Sequence, residues 1–147
     1  MENISIPAAV AVIRGEAHGM VKFYQRGGKT LVDVQLRDLP ESDSGFFALH
    51  IHEGGDCEGE GYPNTGGHYN PGNVEHPRHA GDLPPLLNSG GRANMQVVTN
   101  RFRVDEVIGK TVVIHSQPDD FRTQPAGNAG EKIACGVIRR GMPAFTG

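Results

Sequence analysis

The chain has 147 residues, which suits a single domain spanning 1–147 around one core. With 14 Lys and Arg against 17 Asp and Glu, its net charge of -3 and pI of about 6.1 leave no electrostatic footprint for nucleic acid or an anionic membrane. The apolar stretch from Ile6 to Ile13 is too short to span a bilayer, and Met1-Glu2-Asn3 does not read as a signal-peptide n-region, so a cytoplasmic location stays open.

The 21 Gly and 10 Pro suit short strands joined by long loops better than helices. Ala8 to Arg14 reads as a first strand and Met20 to Gln25 as a second, with Val21 and Phe23 on one face. Gly27-Gly28 makes a hairpin turn into Thr30 to Leu36, where Val32, Val34 and Leu36 alternate with Asp33 and Gln35. Asp38 to Gly45 is a connection, and Phe46 to His52 the next strand. Glu53 to Gly91 is a long run without periodicity; a loop of that length inside a compact domain is expected to be functional or disordered. Arg92 to Thr99 and Arg101 to Val104 read as two more strands, and Thr111 to His115 as another. Ser116 to Lys132 is a second long loop, and Ile133 to Arg139 the closing strand. The expected fold is all-β, about eight antiparallel strands in a β-sandwich or flattened barrel.

Six of the seven histidines and one aspartate carry the chemistry. His50 and His52 are two apart in a strand and so project from one face. His68, His76, His79 and Asp82 follow through the long loop as His-x7-His-x2-His-x2-Asp, and His115 ends an apolar run. A bare His-x-His also occurs as solvated histidines, and His115 alone would pass for an edge residue. The joint spacing instead points to metal, because metal bonds order a loop that buries no core of its own. Two imidazoles, a carboxylate and one more nitrogen suit zinc; four imidazoles favour copper(II). Seven ligands fit two ions sharing one histidine, and His68, between the groups in sequence, is the natural bridge. His18 has no partner at useful spacing and reads as surface. Cys57 and Cys135 read either as two unconnected buried thiols or as a bridge from the long loop to the sheet. A bridge closing ~80 residues would contribute roughly 4 kcal/mol and favour an oxidising compartment outside the cytoplasm.

Leu49-His50-Ile51-His52-Glu53, Gly66-Gly67-His68-Tyr69-Asn70-Pro71, His79-Ala80-Gly81-Asp82-Leu83, Gly127-Asn128-Ala129-Gly130 and Ala134-Cys135-Gly136-Val137-Ile138 together resemble copper–zinc superoxide dismutases of the bacterial type, over nearly the whole chain. The resemblance implies an eight-stranded Greek-key barrel or immunoglobulin-like sandwich, with a metal loop and an electrostatic loop forming a channel. It implies copper on His50, His52, His68 and His115, zinc on His68, His76, His79 and Asp82, and a Cys57–Cys135 disulfide. Asp119 looks like the carboxylate that links a copper histidine to a zinc histidine and fixes both rings. The family usually carries arginine three residues before the second cysteine, over the copper. Lys132 keeps the charge but loses the fork that holds an anion, so a reduced rate is expected. Leu49 is a second, harmless departure.

The implied reaction converts two superoxide anions and two protons to dioxygen and hydrogen peroxide, with His68 passing a proton and Lys132 attracting the substrate into the channel. Arg122 reads as a solvated loop residue with no assigned role. A homodimer is compatible with the family. The alternative is a non-catalytic copper- and zinc-binding domain on the same scaffold, for metal delivery or storage, although the full ligand set is present. A purely structural sandwich is disfavoured by six histidines in register.

Overall fold

The computed structural model describes residues 6–141; the opening Met1-Glu2-Asn3 lies outside them. Eight antiparallel strands run in chain order: β1 (Ala9–Gly15), β2 (His18–Arg26), β3 (Lys29–Arg37), β4 (Phe46–His52), β5 (Asp82–Leu87), β6 (Ala93–Thr99), β7 (Thr111–His115) and β8 (Lys132–Arg140). They pair in the order β5-β4-β7-β8-β1-β2-β3-β6. The end strands β5 and β6 share no hydrogen-bonded ladder, so the barrel is nearly closed. The β3–β4 and β6–β7 connections cross from one half of the barrel to the other, the Greek-key arrangement. Among the described residues no helix is long and apolar enough to cross a membrane.

The expected hairpin is present: Arg26 pairs with Lys29 across Gly27-Gly28, and Gly27 takes the positive φ the turn needs (60°). The period-2 pattern of β3 sends Val32, Val34 and Leu36 into the core. There they meet Phe23, Ile13, Phe47, Leu49, Ile51, Leu86, Ile114 and Ile138, all buried in one cluster. Burying each such side chain contributes roughly 1.5–3 kcal/mol.

Three expectations need correction. Arg101 to Val104 is not a strand; a short helix, α1 (Val104–Val107), begins at its end. Val104 and Val107, three apart, both face the core, and the Glu106 carboxylate accepts the Arg103 N–H at 3.2 Å. A helical turn can bury that pair where a strand would split it. The run from Glu53 to Gly91 is not all loop, because it contains β5. Pro84 and Pro85 obscure that strand in the sequence, since proline cannot donate to a ladder. They fall where the β4–β5 register shifts, between Phe47↔Leu86 and Leu49↔Leu83. The intervening Ala48 N–H goes to Gln117 O instead, at 3.0 Å. His18 is a surface residue as expected but not without a partner: it opens β2 and its Nδ1 lies 3.0 Å from the exposed Asp38 Oδ2.

Candidate metal centre

β4 is held by β5 on one side and β7 on the other, and this ladder fixes three of the histidines. His50 pairs with Asp82 and Val113, His52 with Thr111, and the bulged end of β7 carries His115. Leu49 and Ile51 enter the core while His50 and His52 point to the other face. That face is covered as well, so both rings are buried under the long loop. The loop is laid down by backbone pairing: Glu53 N–H to Gly67 O, Tyr69 N–H to Ile51 O, and Gly81 N–H to Tyr69 O. Gly81 must be glycine, because a Cβ there would sit 2.4 Å from Ile51 O. The disulfide Cys57–Cys135, with Cα atoms 5.8 Å apart, ties the start of this loop to β8.

All seven candidate ligands come together. Two sets have ligand atoms within 4.8 Å of one another: His50, His52, His68, His115, and His50, His68, His76, Asp82. His79 belongs with the second set by direct distance. Its Nδ1 lies 3.2 Å from His68 Nδ1 and 3.2 Å from Asp82 Oδ2. His68 Nδ1 is 2.8 Å from Asp82 Oδ1, and His76 Nδ1 is 3.1 Å from Oδ2. Nitrogens bound tetrahedrally at about 2.0–2.1 Å stand roughly 3.3 Å apart, so these spacings suit one zinc ion. His50 comes near this set because its Nε2 and the His76 Nε2 share the Asp119 carboxylate, at 2.8 and 2.7 Å. His50 thereby turns its Nδ1 to the first set.

In that first set His52 gives its Nδ1 to Gly66 O (2.8 Å) and turns Nε2 toward His115 Nε2 (3.2 Å). The His50 Nδ1, His68 Nε2 and His76 Nδ1 atoms are buried without a hydrogen-bond partner. Buried ring nitrogens left so are costly unless something else fills them. The residues therefore fit a copper ion in one set and a zinc ion in the other.

The electrostatics favour the neutral form of His50, His52, His79 and His115 and the charged form of both carboxylates, as metal ligation requires. Burial pushes His52 down to about 2 and His115 down to about 3. Burial also lowers His50 and His79, against the pull of neighbouring carboxylates. Burial would raise Asp119 and Asp82. For Asp119 the hydrogen bonds from His50 and His76 outweigh it, and for Asp82 those from His68, so both sit below the ordinary carboxylate range.

A cavity opens onto this centre, lined by His52, His68, His115, Pro125, Asn128 and Lys132. The Lys132 ammonium donates to Thr65 Oγ1 (2.7 Å) and Gly66 O (3.3 Å). Gly66 O thus receives both His52 and Lys132. Arg122 does not line the cavity; its backbone N–H caps Asp120 Oδ1 at 2.8 Å.

The sequence profile of the copper/zinc superoxide dismutase (SODC) family matches residues 17–138. The chain belongs to that family. Relatives include two proteins of Aquifex aeolicus (strain VF5): Superoxide dismutase [Cu-Zn] 2 is 32% identical, with 94% of this chain and 88% of that protein aligned. Superoxide dismutase [Cu-Zn] 1 is 34% identical over 94% and 89%. Among solved structures, the Cu/Zn superoxide dismutase from Brucella abortus superposes with a TM-score of 0.74 at 27% identity, over 88% of this chain and 98% of that one. A SOD-like protein from Bacillus subtilis superposes with a TM-score of 0.76 at 26% identity, over 90% and 99%.

Four contributors to this dismutase-family centre escape sequence reasoning. Thr65, Gln124 and Arg101 act through hydrogen bonds to loops whose path the sequence does not reveal. Gly127 lies in a matched motif, yet its reason is spatial: a Cβ there would stand 2.1 Å from Asp119 Oδ1 and 2.5 Å from His76 Nε2.

Proposed function

We propose that the chain, as one domain, dismutates superoxide, with His50, His52, His68 and His115 holding copper and His68, His76, His79 and Asp82 holding zinc. The observation that carries this reading is His68. Its Nδ1 stands among His79 and Asp82, while its Nε2 is buried without a partner on the side of His50, His52 and His115. When bound, copper supplies a one-electron couple and zinc a fixed dication that keeps the His68 Nδ1 side engaged.

The chain's own residues do the rest. Lys132 places a positive charge at the mouth of the cavity, local attraction that a net charge of -3 does not supply. One superoxide gives up an electron and leaves as dioxygen. A second gains that electron and two protons and leaves as hydrogen peroxide. His68 Nε2 holds one of these protons in the first half of the cycle and delivers it in the second; the other comes from water. Asp119 keeps the His50 and His76 rings from rotating, because each donates its Nε2–H to one carboxylate oxygen.

The test is superoxide decay catalysed by the purified protein after reconstitution with copper and zinc, with metal content measured on the same sample. Turnover at one copper and one zinc per chain is expected. Full loading without turnover would replace this reading with the metal-binding alternative.

A further inference from the structure

Neither the family resemblance nor the ligand set accounts for the way His76 is held from outside its own loop. The backbone of His76 has no strand behind it; it lies between Tyr69 and β5, where the chain follows no ladder. The carboxamide of Gln124 takes the place of a strand neighbour. Its Oε1 accepts the His76 N–H at 2.8 Å, and its Nε2 donates to the His76 carbonyl at 2.6 Å. The same Nε2 donates to Arg122 O at 3.1 Å, which braces the side chain within the second loop. One amide thus satisfies both main-chain groups of one residue, as a paired strand would. Asp119 of the same loop holds the other end of His76, at ring Nε2. Backbone and ring are therefore both fixed by residues 119–124, leaving Nδ1 as the free atom directed at Asp82.

We infer that Gln124 is a positioning residue: its side-chain amide clamps the His76 backbone and so presets the zinc-side ligands before any ion arrives. The inference rests on the zinc reading above. Two net hydrogen bonds are at stake, each individually modest. Without them His76 must be ordered at the moment of binding.

The experiment uses the full chain, stripped of metal, in parent, Gln124→Ala and Gln124→Glu forms. Zinc affinity is measured by competition with a chromogenic chelator, and hydrogen exchange at the His76 amide is measured without metal. Gln124→Ala is expected to bind zinc roughly tenfold more weakly and to exchange the His76 amide roughly tenfold faster. Gln124→Glu retains the acceptor but not the donor, so it should keep the amide protected and still lose affinity. A purely structural surface residue would show neither this split nor any effect confined to His76. Unchanged zinc affinity in Gln124→Ala, beside a parent that binds one zinc tightly, overturns the clamp. A parent that binds no zinc overturns the zinc reading instead, and the exchange measurement still decides whether Gln124 holds His76.

Discussion

Replacing Lys132 by arginine should raise the catalytic rate, and the contacts of the ammonium set the scale. A lysine has three N–H donors. Here two are engaged, with Thr65 Oγ1 and Gly66 O, leaving one for an incoming anion. A guanidinium in the same place has five donors; after the same two contacts three remain, and two of them form a planar fork. One more charge-assisted hydrogen bond is worth about 1.5–3 kcal/mol at full strength. Lys132 is only half-buried, so water competes for the anion, and part of the rate is encounter, not orientation. A gain of roughly 3–10-fold in kcat/KM, about 0.7–1.4 kcal/mol, is the expected result.

A second readout comes from pH. Burial lowers the Lys132 ammonium below its ordinary 10.5, so its charge disappears as pH rises through that lowered value. The parent's rate should fall on an alkaline limb that begins below 10.5, and Lys132→Arg should push that limb upward. Lys132→Gln, with no charge, should lose roughly tenfold in rate and most of the ionic-strength dependence. The assay is direct observation of superoxide decay across pH and salt, on samples matched for copper and zinc. An arginine variant with the parent's rate and the parent's alkaline limb would refute the reasoning: Lys132 would then be a brace for Thr65 and Gly66 and not the anion site.

Asp119→Ala removes the acceptor of both the His50 and His76 rings. Zinc affinity should drop about 10–100-fold and copper affinity less, because His50 keeps two strand partners and His76 has none; an equal loss, by metal titration, contradicts this. Gly127→Ala should act on the same link, since its Cβ would displace Asp119 or His76 at a φ of +72°; restored zinc content as purified would show the loop yields freely. The metal-free protein should lose stability as pH falls below 6.5. The folded pKa values of His52 and His115, about 2 and 3, lie below the unfolded one, so protons bind the unfolded chain first. Each of these two groups contributes on the order of 1.4 kcal/mol per pH unit, read from urea midpoints between pH 7 and 4. Opening the Cys57–Cys135 bridge by Cys57→Ser should cost about 4 kcal/mol in the same assay.

The divide between what the sequence makes legible and what it hides follows the kind of interaction involved. β3 and β4 announce themselves because side-chain alternation is written residue by residue. The ligands do so because imidazoles and a carboxylate at short spacings have few other uses. β5 is hidden because Pro84 and Pro85 contradict a ladder that in fact shifts register around them. α1 is hidden because four residues offer no period to read. In the site, the residues that escape are those acting on backbone. Gln124 reaches His76, and the Arg101 guanidinium reaches Pro77 O and His79 O at 2.8 and 3.1 Å. Such contacts depend on which loop lies over which, and no local pattern encodes that.

The same distinction separates the two halves of the centre physically. His50, His52 and His115 sit on β4 and β7, whose central ladders fix their backbones whether or not anything is bound. His68 is attached to β4 by a single bridge at His52, and Asp82 opens the edge strand β5. His76 and His79 lie on loop backbone that side chains of other segments must hold. On the proposed assignment, the copper set is thus built largely into the barrel, while the zinc set is built from the loop and its fasteners. On that assignment, filling the zinc set completes the ordering of the loop that these fasteners begin, and His68 is the point where that process reaches the copper side. Gln124, Arg101 and Asp119 reduce the entropy that process must overcome, which is why substitutions at these three positions should register at zinc before they register at copper.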